Sequence, residues 1–263
     1  MRSGTPAIAS LARALTTLEA LISADNVRSL SDIARDLDMP IATVHRQART
    51  LIAEGFLIRL PNGRYAPGPR FARMLGQVDE KQLIVNSAAP VLHRLAARLC
   101  CVVQLGTFEN EMVTYRLKTG QGAGNLFTKV GMQLEAYCSG IGKVLLAHLP
   151  QAAREAYLST GPFPPLTPKT IVDPERLRLA LTQIKHDGFA TDDGEIHDQI
   201  FCVAVPIQTA DDRVPAAISV TRIKRPGRRM TTERTVQYLQ AAAREITASA
   251  FAWSPPREAR RSA

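Results

Sequence analysis

Residues 30–57, LSDIARDLDMPIATVHRQARTLIAEGFL, constrain the fold more than any other stretch of the chain. The apolar spacing predicts two helices, about 30–36 and 41–54, too close in sequence for anything but a tight turn between them. Such a pair needs a small residue where the helices cross, here Ala34. It needs a turn residue that tolerates positive φ, here Asp38, where glycine is easier but Asp is acceptable. Pro40 suits the first turn of the second helix, and Val44 and Leu51 anchor that helix inward. A preceding helix from about Ser10 to Ser23 is expected to supply Leu11, Leu15, Leu18 and Ile22 as a supporting face. Gln47 stands where an apolar residue is usual, so either looser packing or a polar neighbour is expected there.

After these helices, Phe56-Leu57-Ile58 reads as a short strand, Pro61-Asn62-Gly63-Arg64 as a tight turn and Tyr65 as the start of the return strand. Asn-Gly is the strongest short hairpin signal. A hairpin directly behind two such helices makes a winged helix-turn-helix. Its second helix carries Thr43, His45, Arg46 and Arg49 with no acid before Glu54, a set suited to a major groove of double-stranded DNA. Arg59 and Arg64 on the wing are expected near phosphates. The net charge of +9 agrees with an anionic partner but is spread along the chain: residues 1–70 hold nine Arg against six acids.

The 263 residues are enough for two domains. No apolar run reaches the length of a membrane span. Arg13 and Glu19 interrupt the apolar N-terminal stretch, which argues against a secretory signal. Pro61 to Pro69 is turn-rich, and Arg70 to about Val85 reads as a linker helix. A second helix is expected with Ser87 as its cap, Pro90 in its first turn, and Val91, Leu92, Leu95 and Leu99 on one face. A hairpin follows, Cys101–Thr107 and Met112–Leu117 around Glu109-Asn110. Then come a helix from about Ile141 capped by Ser139, and a helix from Asp173-Pro174 ended by Gly188. Two buried strands, 201–207 and 214–221, and a last helix from about Thr232 to Phe251 complete it. The irregular alternation fits an α+β fold with a largely antiparallel sheet. The boundaries read as 1–68 for the winged helix-turn-helix domain, 69–85 for the linker helix, 86–251 for the second domain, and 252–263 for a disordered tail.

The five segments LSDIARDLDMPIATVHRQARTLIAEGFL, AYCSGIGKVLLAHLP, LTPKTIVD, GFATDDGEIHDQIFCVAVPI and AAISV, in this order, resemble the IclR family of transcription regulators across about residues 10–250. The resemblance implies a winged helix DNA-binding domain, a GAF-like effector domain, homodimers or homotetramers on palindromic operators, and small organic acids, aliphatic or aromatic, as effectors. By resemblance, the ligand contacts fall at the backbone of Gly140 and Ile141 and at Asp192, Cys202, Ser219 and Thr221, with Leu126 and Ile200 as apolar walls. The chain departs from the family pattern at Gly194, where an acid is usual, at Gln199, where glycine is usual, and at Gln47, where leucine is usual.

Physical chemistry supports such a pocket. The N-terminus of the helix opened by Ser139 offers free N–H groups to a carboxylate, and Gly140 admits close approach. Ser219 and Thr221 share one strand face, and so do Cys202 and Ala204. An ionised Asp192 beside an anionic ligand is repulsive, so either the ligand presents a donor to it or Asp192 becomes protonated. The string Gly140-Ile141-Gly142-Lys143 lacks the spacing and the following hydroxyl of a phosphate-binding loop. Cys100, Cys101, Cys138 and Cys202 lack zinc-ligand spacing and read as reduced thiols of a cytoplasmic protein, mostly buried, with the adjacent pair 100 and 101 on opposite faces of a strand. No cofactor or metal is called for. The competing readings are a redox- or metal-responsive regulator on the same fold, and a cysteine-dependent enzyme using Cys202 with His197 or His186.

Overall fold

The computed structural model describes residues 8–23, 29–224 and 231–251. They fall into two units that divide between Asp79 and Glu80. The tail 252–263 lies outside the described residues.

The first unit contains α1 (Ala9–Ser23), α2 (Leu30–Asp36), α3 (Ile41–Ala53), the strands β1 (Leu57–Arg59) and β2 (Tyr65–Pro67), and α4 (Pro69–Leu75). Ser29 caps α2 reciprocally: its hydroxyl accepts from the Asp32 N–H, and the Asp32 carboxylate accepts from the Ser29 N–H. Asp38 takes the turn at φ +48°. Ile33, Ala34, Val44, Ala48 and Leu57 close the core as the sequence requires. The face expected of α1 is corrected. Thr17, Leu18 and Leu21 are buried, whereas Leu11 and Leu15 are each 56% exposed. The reason is Gln47: its side-chain carbonyl accepts a hydrogen bond from the Thr17 hydroxyl at 2.6 Å. The polar pair sits beside Leu18 and Leu21 where α1 meets α3; of the expected row, Leu18 and the partly buried Ile22 pack into the core, and Leu11 and Leu15 do not. β1 and β2 pair antiparallel around Gly63 at φ +79°. Gly68 follows where only glycine fits, because a Cβ there would stand 2.3 Å from the Gly55 carbonyl oxygen.

Two helix expectations are also corrected. The linker helix does not run to Val85: α4 ends at Leu75, and residues 80–85 belong to the next helix. That helix, α5 (Glu80–Leu99), has no break at Ser87. Pro90 lies in its interior and removes the N–H that would bond the Asn86 carbonyl. Packing outweighs this cost, since Ile84 and Ala88 before the proline and Val91, Leu92, Leu95 and Ala96 after it are buried in one core.

The second unit continues with β3 (Val102–Glu109), β4 (Met112–Thr119), β5 (Gln133–Glu135), α6 (Gly140–Ala147), α7 (Gln151–Leu158), α8 (Pro174–Asp187), β6 (Ala190–Asp192), β7 (Ile200–Ile207), β8 (Ala216–Ile223) and α9 (Thr232–Ala250). The strands β5-β4-β3-β8-β7-β6 form one sheet, and each neighbouring pair is antiparallel. The β3–β4 hairpin turns at Asn110-Glu111, both at positive φ. Cys100 and Cys101 precede β3 and do not sit on a strand: Cys100 is exposed at φ +49° where α5 ends, and only Cys138 and Cys202 are buried.

The two faces of the sheet differ in side-chain size. One carries Val103, Leu105, Val203, Val205, Ile218 and Val220 and packs on α5 and α9. The other carries Gly106, Cys202, Ala204, Ala217, Ser219 and Thr221, and α6 lies against it. Small residues let α6 come close. A Cβ on Gly106 would stand 3.0 Å from Ile141 Cγ2, and one on Gly140 would stand 3.2 Å from Cys202 Sγ.

Candidate functional site

The basic face of the first unit is built by α3 and the hairpin. Val44 and Ala48 turn inward, which sends His45, Arg46 and Arg49 to the exposed side and leaves Thr43 half-buried. A groove of about 380 Å³ runs between α3 and the wing, and His45, Arg49, Arg59 and Arg64 line it. Among the described residues no acidic side chain lines it. Thr43 and Arg46, one turn apart on α3, do not line this groove. The expected DNA-reading set therefore splits into a groove-lining group and a separate pair on α3.

In the second unit, all eight residues expected of the ligand site, Gly140, Ile141, Asp192, Cys202, Ser219, Thr221, Leu126 and Ile200, line one cavity. Its free volume is about 20 Å³, close to the space one water occupies. Ser139 caps α6, its hydroxyl accepting from the Gly142 N–H at 3.0 Å. The N–H groups of Gly140 and Ile141, in the first turn, have no intrahelical acceptor. Ser219, on β8 directly across from Ala204 of β7, is 1% exposed, and its hydroxyl has no oxygen or nitrogen partner, with only the Cys202 thiol, a weak partner, beside it. A buried hydroxyl without a partner is costly, and this one faces the cavity that the α6 N-terminus also faces.

Asp192 is 1% exposed. Burial pushes its carboxyl above the ordinary range, opposed by backbone N–H donors of the following loop and by the Lys143 charge. The Glu195 N–H donates to Asp192 Oδ1 at 2.6 Å, so Asp192 folds the loop 193–196 over itself. Sequence reasoning missed the partner of that loop. Lys143, buried in α6, forms an ion pair with Glu195 Oε1, while Glu195 Oε2 is buried without a partner. Burial raises the Glu195 carboxyl, and Lys143 opposes this. The LTPKTIVD segment clamps the same loop: Thr167 Oγ1 donates to the Gly194 carbonyl at 2.6 Å and Thr170 Oγ1 to the Glu195 carbonyl at 2.7 Å. Gly194 itself sits at φ +90°, a conformation an acidic residue would adopt only under strain. Gln199 has no such requirement, and its carbonyl accepts the Lys224 N–H at 2.7 Å.

Three further lining residues, Gln104, Tyr115 and Thr128, are not singled out by the sequence. Thr221 Oγ1 donates to Gln104 Oε1 at 3.1 Å, and Gln104 Nε2 donates to Thr128 Oγ1 at 2.8 Å. No spacing rule links these three partners, which come from β8, β3 and the loop after β4. Burial pushes the Tyr115 hydroxyl far up, so it remains a protonated phenol. Phe127, beside Thr128, stacks on His197 from the opposite loop with centroids 6.4 Å apart.

Cys202 does not suit nucleophilic chemistry. Burial pushes its thiol up to about 12, and Asp192 adds to the shift, so the thiolate is negligible at neutral pH. His197 is taken up by Phe127, and His186 stands exposed beside Asp187 on α8. Among the described residues no group of three His, Cys, Asp or Glu side chains could hold a metal ion. No described helix is long and apolar enough to cross a membrane.

Comparison with known proteins gives this geometry its setting. Residues 10–61 match the model of the IclR helix-turn-helix domain, and residues 77–248 match that of the bacterial transcriptional regulator IclR C-terminal domain. The chain is 30% identical over 224 residues to the HTH-type transcriptional regulator XynR of Escherichia coli, covering 83% of this chain and 87% of that one. It is 28% identical over 246 residues to the Pca regulon regulatory protein of Pseudomonas putida, covering 92% and 84%. Among solved structures it is similar to an IclR homolog from Microbacterium hydrocarbonoxydans complexed with 4-hydroxybenzoate, at 29% identity and a TM-score of 0.59, covering 91% of this chain and 98% of that one. Both of these curated relatives are named as regulators. A DNA-binding helix-turn-helix unit followed by an effector-binding unit, each matched by its own family model, places the chain in the IclR family of bacterial transcriptional regulators.

Proposed function

We propose that the cavity beneath α6 binds a small organic carboxylate and that this ligand controls operator binding. The observation that carries the reading is the Ser219 hydroxyl, buried without an oxygen or nitrogen partner in a cavity that also receives the first turn of α6. Helix N–H groups and a hydroxyl are donors, and donors without acceptors call for an anion with lone pairs. Gly140 and Ile141 contribute backbone N–H groups. Cys202 and Thr221 line the floor, Leu126 and Ile200 form the apolar walls, and Asp192 takes a hydroxyl or a proton. Occupation by anything larger than water requires the surrounding side chains to move, because the free volume is about 20 Å³. The 4-hydroxybenzoate held by the Microbacterium homolog supports an aromatic carboxylate in particular.

On the DNA side, we assign reading of a palindromic operator to residues 1–68, with His45, Arg49 and Arg64 at the groove and Thr43 and Arg46 on the free flank of α3. A palindrome demands a homo-oligomer. The apolar side chains Leu11 and Leu15 exposed along α1 supply surface for association. Residues 69–79 join this part to an effector-binding part, 80–251, and the protein acts in the cytoplasm, where its operator is. The effector works by binding one arrangement of the oligomer better than another.

A thermal-shift panel of aliphatic and aromatic carboxylates tests the reading. A ligand at about 100 times its Kd adds about 2.7 kcal/mol of stability. A hit that disappears in Ser219→Ala and shifts operator binding in a gel-shift assay is the expected result. A panel without a hit, or a hit indifferent to Ser219→Ala, overturns the carboxylate site.

A further inference from the structure

We propose that Gln104 is the specificity-determining residue of this cavity, and that the ligand it selects is a monocarboxylate with a neutral polar group, a hydroxyl or a carbonyl, at its far end. The proposal rests on the carboxylate reading of the α6 end.

The register of the sheet sets the geometry. Ala204 of β7 pairs with Ser219 of β8, and Ser219 pairs with Gln104 of β3, so the three stand in one row across adjacent strands. Gly140 lies over the Ala204 end of the row, its Cβ position 3.4 Å from Ala204 Cβ. Two strand spacings of about 4.8 Å put the Gln104 backbone about 10 Å from that end. A carboxylate placed between the Gly140 N–H and Ser219 then has its tail running toward Gln104. With the glutamine side chain reaching back along the row, the next polar atom falls roughly 5–7 Å from the carboxylate carbon.

The chemistry of the far end is equally specific. Gln104 is 2% exposed. A primary amide has two N–H donors and two acceptor lone pairs. Thr221 uses one lone pair and Thr128 uses one N–H, which leaves one N–H and one lone pair on a side chain that lines the cavity. A hydroxyl satisfies both, and a carbonyl satisfies the donor. A methyl or ring C–H satisfies neither. A second carboxylate reaches the Lys118 ammonium only by competing with the carbonyls that already hold it. Lys118, which pairs with Gln104 across β3 and β4, gives its Nζ donors to the Leu126 and Thr128 carbonyls. The network also ties selection to access, because Thr128 belongs to the loop that bears Leu126 and Phe127 over the cavity.

The test is calorimetric titration of the full chain with two matched series: benzoate, 4-hydroxybenzoate and terephthalate, and pentanoate, 5-hydroxypentanoate and glutarate. At least one series is expected to bind with the hydroxylated member tighter than the unsubstituted one by about tenfold or more and tighter than the diacid. Gln104→Leu, similar in volume, is expected to bring the hydroxylated and unsubstituted members within about threefold, chiefly by weakening the former. Gln104→Glu, closer still in shape, is expected to weaken every anion, and circular dichroism of both variants separates lost binding from lost folding. If wild type binds the members of each series equally, or prefers the diacid, while Ser219→Ala abolishes binding, the Gln104 proposal falls and the carboxylate site stands. If no member of either series binds, both fall together.

Discussion

The Thr17 hydroxyl donates to the side-chain carbonyl of Gln47 at 2.6 Å, making a polar pair inside the junction of α1 and α3. Thr17 is fully buried. Gln47→Leu removes only the acceptor and strands the hydroxyl, so it is expected to destabilise the first unit by about 1–3 kcal/mol. Thr17→Val together with Gln47→Leu replaces both partners by apolar groups of similar shape and is expected to restore most of that loss. Urea unfolding of the four proteins of this double-mutant cycle checks it. Additive effects would show that the pair is incidental to stability.

The split of the basic face predicts two kinds of DNA-binding defect. Arg64→Ala, on the wing, is expected to remove a phosphate contact. It is expected to weaken all sequences alike and to reduce the salt slope of log K by about one. Arg46→Ala, on the α3 flank, is expected to cost about 1–3 kcal/mol on the cognate operator and to relax preference at one base pair. Fluorescence anisotropy across a salt series, with operator and scrambled duplexes, separates the two. Identical profiles for both variants would mean that α3 does not enter the groove as placed here.

Ser219→Ala discriminates a ligand site from an ordinary strand position. The wild-type hydroxyl is buried without an oxygen or nitrogen partner, so its removal is expected to leave the ligand-free melting temperature unchanged or higher. Carboxylate affinity is expected to fall about tenfold or more. A lower melting temperature in the absence of ligand would show that Ser219 is satisfied within the fold and has no donor to spare.

The pH dependence follows from Asp192. Burial raises its carboxyl in the folded chain, so folding favours the protonated form. The associated stability is fully present below the unfolded value and is lost as pH rises through the higher folded value. The amide introduced by Asp192→Asn mimics the protonated state at every pH and still accepts the Glu195 N–H. The melting temperature of Asp192→Asn minus that of wild type is therefore expected to grow as pH rises above the ordinary carboxylate range. A constant difference would mean that the loop N–H groups hold Asp192 ionised at no cost.

Local chemistry makes much of this molecule legible beforehand. The small Ala34, the positive φ at Asp38, the Asn62-Gly63 turn and the caps at Ser139 and Asp173 are each set by neighbours within a few residues, and each stands where the pattern puts it. The α1 face misleads because Leu11 and Leu15 offer a better apolar stripe than the row containing Thr17, and only the distant Gln47 decides between them. The break before Glu80 and the passage of α5 through Pro90 mislead for a similar reason: local rules place a helix start near Pro90, and burial on both sides of it overrides them. At the cavity, the residues with motif-bearing neighbours are legible. Gln104 and Thr128 are not, because a glutamine on an apolar strand shows its role only when a partner 117 residues away, Thr221, is brought beside it.

The unequal faces of the central sheet have a consequence for how such a regulator changes over time. The valine and isoleucine face packs on α5 and α9 in one core, and the small-residue face packs under α6 in a second. Cys202 and Ala204 must stay small to admit α6, whereas Ser219 and Gln104 carry polar groups to the cavity, so on the proposed function exchange at these two positions is expected to alter what the protein senses with the first core unchanged. New chemical inputs are thus within reach of one or two substitutions, on a scaffold whose output to DNA is encoded in a different unit of the chain.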